Sequence, residues 1–154
     1  MIQIKIKKLR ADAILPKYSC VGDAGMDLFS VEEDFVLKPM ERKLISTGLS
    51  IELPEGYVSL IWDKSGIALQ GIKSLGGVIE HTYRGEYKVI LVNLSEKDFE
   101  IKKYQKIAQL LIQPITTVEV LETTDLSQTT RGDGGFGSTG KFWFKIYAIT
   151  TYAF

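Results

Sequence analysis

Apolar and polar positions alternate along most of this chain. Ile2, Ile4 and Ile6 alternate with Gln3, Lys5 and Lys7, the period of two that marks a half-buried strand. The same bias recurs over 26–29, 43–53, 57–62, 87–94, 106–113 and 117–121. Turn signals stand between these runs: Val21-Gly22-Asp23, Lys38-Pro39, Pro54-Glu55-Gly56, Gly76-Gly77 and Ser95-Glu96-Lys97-Asp98. Many short strands so spaced predict an all-β sandwich or barrel. Only one stretch predicts a helix, Ser65 to Gln70, with Ser65 as its cap and Gly71 as its stop. The pattern breaks at 128. Gln128 to Gly140 holds five of the 14 glycines and almost no aliphatic residue, so it is expected to be a mobile arm outside any core. The expected division is a β body over 1–127, a glycine-rich arm over 128–140 and an apolar extension over 141–154.

Composition narrows the picture. A chain of 154 residues, 45% apolar and 25% charged, suits one compact domain. Nineteen basic and 19 acidic side chains cancel, which argues against a broad footprint for nucleic acid and leaves room for a local anion site. The single cysteine, Cys20, excludes an internal disulfide framework and is expected to be a small buried residue. The single histidine, His81, excludes a metal site of several histidines. The leading IQIKIKK lacks the order of a signal peptide, and no run of 18 apolar residues exists. The expectation is a cytoplasmic protein without a membrane span.

Five pieces carry candidate chemistry. Arg131-Gly132-Asp133-Gly134-Gly135-Phe136-Gly137-Ser138-Thr139-Gly140 combines backbone donors freed by glycine, two hydroxyls, a planar cation and a ring able to stack on a base. That mixture favours a ligand-binding segment over a plain linker. Asp63-Lys64-Ser65-Gly66 places a cation and a hydroxyl where a strand gives way to a helix; alone, it reads better as a capped surface turn. Gly77-Val78-Ile79-Glu80 ends an apolar run in a carboxylate that suits general-base chemistry, and Tyr83 and Gly85 follow. Asp23 and Asp27 could hold a hydrated Mg²⁺, or simply form a turn. Gln109 is the one polar side chain in Ile107-Ala108-Gln109-Leu110; it either satisfies backbone groups or reads a ligand.

Taken in chain order, Asp23–Leu28, Asp63–Ala68, Gly77–Gly85, Lys106–Leu110 and Arg131–Gly140 resemble the five ordered motifs of the trimeric deoxyuridine triphosphatase (dUTPase) family. The resemblance runs from about Ile4 to Gly140. It implies a jelly-roll-like distorted β-barrel with one short helix turn, a homotrimer with active sites shared between subunits, and Mg²⁺-assisted hydrolysis of dUTP to dUMP and pyrophosphate. By position, it implies that Lys64, Ser65, Gly66 and Gln109 hold phosphates and that Asp27 orders the water shell of Mg²⁺. Tyr83 would pack under the deoxyribose. The backbone at Gly77 and Ile79, with Ser74 nearby, would read uracil in a tight hairpin. Arg131, Phe136, Gly137, Ser138 and Thr139 would close over the nucleotide, and Glu80 would orient the attacking water.

Three features depart from the family pattern. Glu80 stands where Asp is common, Lys64 stands where Arg is common, and 14 residues follow Gly140. Those residues, FWFKIYAITTYAF after Lys141, are expected to pack on the surface of the trimer, with docking on a partner protein as the competing reading. Two further functions compete with hydrolysis. One is non-catalytic dUTP binding. The other is dCTP deamination, which the resemblance would accompany with a glutamate in a threonine–leucine setting; the chain has Glu86-Tyr87-Lys88-Val89 there.

Overall fold

The computed structural model describes residues 2–140. It separates into a compact unit, Met1–Val118, and a second unit, Glu119–Phe154. The expectation for the apolar extension falls on 141–154, outside the described residues.

The first unit is all-β, with one four-residue helix. Its strands are β1 (Lys5–Lys8), β2 (Met26–Phe29), β3 (Phe35–Leu37), β4 (Arg42–Ser46), β5 (Leu49–Glu52) and β6 (Tyr57–Trp62). Helix α1 (Ser65–Ala68) follows, then β7 (Ile72–Leu75), β8 (Val78–Glu80), β9 (Lys88–Asn93), β10 (Phe99–Ile101) and β11 (Lys106–Pro114). Every pairing is antiparallel. A four-stranded sheet has the order β2-β11-β6-β8 and a three-stranded sheet the order β4-β9-β7. Two ribbons, β1-β5 and β10-β3, complete the set. Leu28, Leu37, Ile45, Leu91, Ile107 and Leu110 meet in one core. Tyr87 is fully buried in it and spends its hydroxyl on Ser59 Oγ at 2.9 Å, so the polar tip costs little. No helix among the described residues is long and apolar enough to cross a membrane.

Several expectations change. The run 43–53 is two strands, because Thr47-Gly48 breaks it; Gly48 has φ +70° and Ala13 packs so close that a Cβ there would lie 2.9 Å from the alanine methyl. Residues 117–121 keep the alternating pattern but join no strand. Ser65 is the first helical residue, not the cap; Lys64 occupies the cap position without a side-chain cap bond. Gly71 does end the turn, at φ +87°. Cys20 is exposed, in the turn before Asp23.

Candidate functional site

The four-stranded sheet explains why separate motifs meet. Gln109 on β11 lies opposite Asp27 of β2 on one side and Trp62 of β6 on the other. Lys64 follows Trp62 by two residues, so the ends of three neighbouring strands deliver Asp27, Gln109 and Lys64 to one place. They line a cavity of about 160 Å³ together with Ser19, Asp23 and Gly25. Gly25 is required there: a Cβ would sit 2.7 Å from Gln109 Oε1.

Asp27 is the centre of this cluster. Lys64 Nζ donates to its Oδ1 at 2.8 Å, and Lys106 Nζ and Ser19 Oγ each donate to its Oδ2 at 2.6 Å. Lys106 also reaches Ser19 Oγ at 3.0 Å. Burial alone would raise the Asp27 carboxyl, since Asp27 is 3% exposed. The donors Lys106, Lys64 and Ser19 outweigh it and bring the carboxyl down to about 2. Lys106 and Ser19 were not singled out from sequence. Lys106 stands at a register irregularity of β11, between its pairings with Phe29 and Leu28, and such a bulge re-aims a side chain. Asp23, the second candidate carboxylate, accepts the Cys20 N–H at 2.8 Å and closes a local turn. Ser65 and Gly66 are exposed on the first turn of α1.

Glu80 and Tyr83 lie elsewhere. β8 pairs with β6 so that Glu80 opposes Val58, four residues from the Trp62 end. At about 3.3 Å per residue that is roughly 13 Å along the strand. Glu80 and Tyr83 line a different cavity, of about 360 Å³, with Leu44, Leu75, Val78 and Ile90. Glu80 is exposed; its carbonyl accepts the Tyr83 N–H at 3.1 Å. Tyr83 is tilted at 50° to the Tyr87 ring with centroids 6.2 Å apart, and its hydroxyl donates to the Glu86 carbonyl at 3.2 Å. Any side chain at Gly85 would overlap the Tyr83 ring. The single chain therefore carries the expected residues as two separated groups.

The expected tight hairpin at Gly76-Gly77 is not hydrogen-bonded as a hairpin. β7 is the edge of one sheet and β8 the edge of another, so the strands part and leave two free backbone edges beside the turn. Gly77, at φ +101°, brings its carbonyl to the Ile61 N–H at 2.7 Å, and a Cβ there would meet Ile61 O at 2.7 Å. Ile79 is half-buried, and its carbonyl accepts from Ser59 Oγ at 3.1 Å. Ser74 is buried and bonded to Asp63, another residue that sequence reasoning passed over.

In the second unit, the arm is held by short-range bonds. Gly134 N donates to Arg131 O at 3.0 Å, Ser138 N to Gly135 O at 3.0 Å, and Arg131 Nε to Gly134 O at 2.8 Å. Phe136 is fully exposed, with φ 47°. Gly137, Ser138 and Thr139 are exposed with it.

Comparison with known proteins bears on all of these groups at once. The dUTPase family model matches residues 11–140. A deoxyuridine 5'-triphosphate nucleotidohydrolase from Hydrogenobaculum sp. is 53% identical over 142 residues, covering 90% of this chain and 99% of that protein. The dUTPase of Staphylococcus bacteriophage 80alpha, solved with dUpNHpp, superposes with a TM-score of 0.85 at 30% identity, covering 90% of this chain and 99% of that one. A variant dUTPase from phage phi11 of S. aureus, described with a coordinated structural Mg(II) ion, superposes with a TM-score of 0.75 at 25% identity. It covers 82% of this chain and 99% of that one.

Proposed function

This chain belongs to the dUTPase family, and from that premise we propose how it hydrolyses dUTP to dUMP and pyrophosphate. The observation that carries the reading is the division of the site. A cationic cluster with one buried carboxylate (Asp27, Lys64, Lys106, Gln109) is built at one end of the β2-β11-β6-β8 sheet, and a carboxylate beside an aromatic turn (Glu80, Tyr83) at the other. Phosphoryl transfer is mostly positioning and charge stabilisation, and it needs both groups around one phosphorus atom. Separated in one chain, they come together between copies. We therefore read the active unit as a homotrimer with shared sites. Exposed Val118, Val120 and Leu121 support this, because they carry a strand pattern with no partner strand among the described residues.

In the proposed reaction, Lys64, Ser65, Gly66 and Gln109 hold the phosphate chain. Glu80 orients a water and takes its proton as the oxygen attacks the α-phosphorus. The bond from that phosphorus to the bridging oxygen breaks, and pyrophosphate leaves. Tyr83 lies under the deoxyribose and excludes a 2′-hydroxyl. The open edges at Gly77 and Ile79 read the base. Arg131, Phe136, Gly137, Ser138 and Thr139 close over the nucleotide and exclude water. The longer side chain of Glu80 reaches further than an aspartate by one methylene, so its backbone must stand back correspondingly from the phosphorus.

The family also implies Mg²⁺, and the residues fit it. No group of three or more potential ligands occurs among the described residues. Asp27 is an ionised carboxylate on a cavity that Asp23 also lines. Both oxygens of Asp27 already accept from Lys64, Lys106 and Ser19, so Asp27 would meet Mg²⁺ through its retained waters, with substrate phosphates as direct ligands. Bound there, it would neutralise charge on the phosphates. The exposed free thiol of Cys20 suits a reducing, cytoplasmic compartment.

Pyrophosphate release with dUTP, UTP, dTTP and dCTP tests the reading. dUTP should be hydrolysed and the others left nearly intact. Glu80→Gln should abolish turnover while nucleotide binding persists. Turnover retained in that variant would remove Glu80 from the mechanism, and ammonia release from dCTP would revive deamination.

A further inference from the structure

We propose that Asp63 is a positioning residue that fixes the hydrogen-bonding polarity of Ser74 toward the pyrimidine ring, and so contributes to the choice of uracil over cytosine. The inference rests on the reading above that the β7–β8 turn holds the base.

Asp63 follows β6, and Ser74 lies on β7. Asp63 Oδ1 accepts two bonds from Ser74, from its backbone N–H at 2.7 Å and from its hydroxyl at 2.6 Å. Oδ2 accepts from Lys73 Nζ at 2.6 Å. The Ser74 N–H is thus turned to the open edge of β7, away from β9. Partial burial opposes ionisation of Asp63, but the donors Lys73 and Ser74 outweigh it and lower its carboxyl below the ordinary aspartate value. The partner of Ser74 is therefore a carboxylate, an acceptor only.

A serine hydroxyl has one proton and two lone pairs. With its proton committed to Asp63, Ser74 Oγ has only acceptor capacity left, and no described hydrogen bond uses it. Ser74 is 7% exposed, and it lines a cavity of about 210 Å³ with Trp62, Lys73, Gly76 and Gly77. That cavity adjoins the free edges of β7 and β8. The chemistry of the two bases decides what such an acceptor prefers. Uracil carries N–H at position 3; cytosine carries a bare nitrogen there. Ser74 Oγ pairs with the first and opposes the lone pair of the second. An unpaired or opposed polar group in a confined site discriminates strongly between near-isosteric ligands.

The test is the ratio of kcat/KM for dUTP over dCTP, read by pyrophosphate release. The proteins are the full chain, Ser74→Ala, Asp63→Ala, the double variant and Lys73→Met. The ratio should fall about tenfold or more in each of the two alanine variants. It should fall no further in the double variant than in Ser74→Ala, because Asp63 acts through Ser74. Lys73→Met should keep it. An unchanged ratio in folded Asp63→Ala, or losses that multiply in the double variant, would overturn the proposal. So would a loss in Lys73→Met equal to that in Asp63→Ala, which would assign the effect to the ion pair. Should Asp63→Ala fail to fold, Ser74→Ala decides, and an unchanged ratio there overturns the proposal. A parent chain with no dUTP turnover would overturn the proposed function, and this inference with it.

Discussion

The Asp27 cluster and the Glu80–Tyr83 turn differ in how finished they are. Around Asp27, three donors already converge on one buried carboxylate, and two of them also bond each other. Asp27 lies on β2 and Lys106 on β11, and Lys64 follows β6, three neighbouring strands of one sheet. Around Glu80, the carboxylate and Tyr83 are exposed, and the cavity wall is mostly apolar, with Leu44, Leu75, Val78 and Ile90 beside Glu86 and Lys88. One group is preorganised by its own chain. The other is an exposed surface whose charged neighbours within the cavity are Glu86 and Lys88. On the homotrimer reading proposed above, a site split in this way would stay incomplete until the copies assemble, which would confine phosphate chemistry to the assembly.

Three changes sharpen this contrast, in falling order of effect. Truncation after Thr130 should leave a folded protein, because among the described residues the arm makes only short-range bonds of its own. It should cost on the order of 10²-fold or more in kcat, through lost donors and lost water exclusion. Steady-state kinetics beside a thermal melt would show both, and full activity would make the arm a linker. Gly25→Ala acts on the preorganised group, with Leu111 Cδ1 the other near neighbour at 3.0 Å. Its Cβ would fall 2.7 Å from Gln109 Oε1, displacing the amide. KM should rise roughly three- to tenfold with little change in stability. The smallest effect is on folding. Asp27 has a carboxyl lowered from 3.8 to about 2, so its contribution is fully present above about pH 4 and is lost as pH falls toward 2. The contribution is about 2 kcal/mol in the nucleotide-free protein. Denaturant unfolding of the parent and of Asp27→Asn between pH 2 and 5 isolates it, since Asp12, Glu52 and Asp63 are lowered as well.

Much of this was legible in the residues. The alternation over 57–62 and 106–113 marked β6 and β11 nearly to the residue. The order of Asp27, Lys64, Glu80, Gln109 and the glycine arm pointed to the family. Other features needed coordinates. β3, β8 and β10 have three residues each, too few to display a period. The Lys106 contact depends on an irregularity in β11 that no spacing announces. Asp63 and Ser74 are joined by the parting of β7 from β8, whereas the glycine pair between them suggested closure. Residues 117–121 show the converse failure: a strand pattern is a statement about a partner, and among the described residues none is supplied.

In the proposed homotrimer, one active site takes Asp27 from one copy and Glu80 from another. Refolding a mixture of two inactive variants, Glu80→Gln and Asp27→Asn, tests it directly. Random assembly in equal amounts should restore pyrophosphate release to about one quarter of the parent rate, because that share of shared sites would carry both native carboxylates. Activity no greater than the two variants show separately would place Asp27 and Glu80 of each site on the same chain and contradict the account.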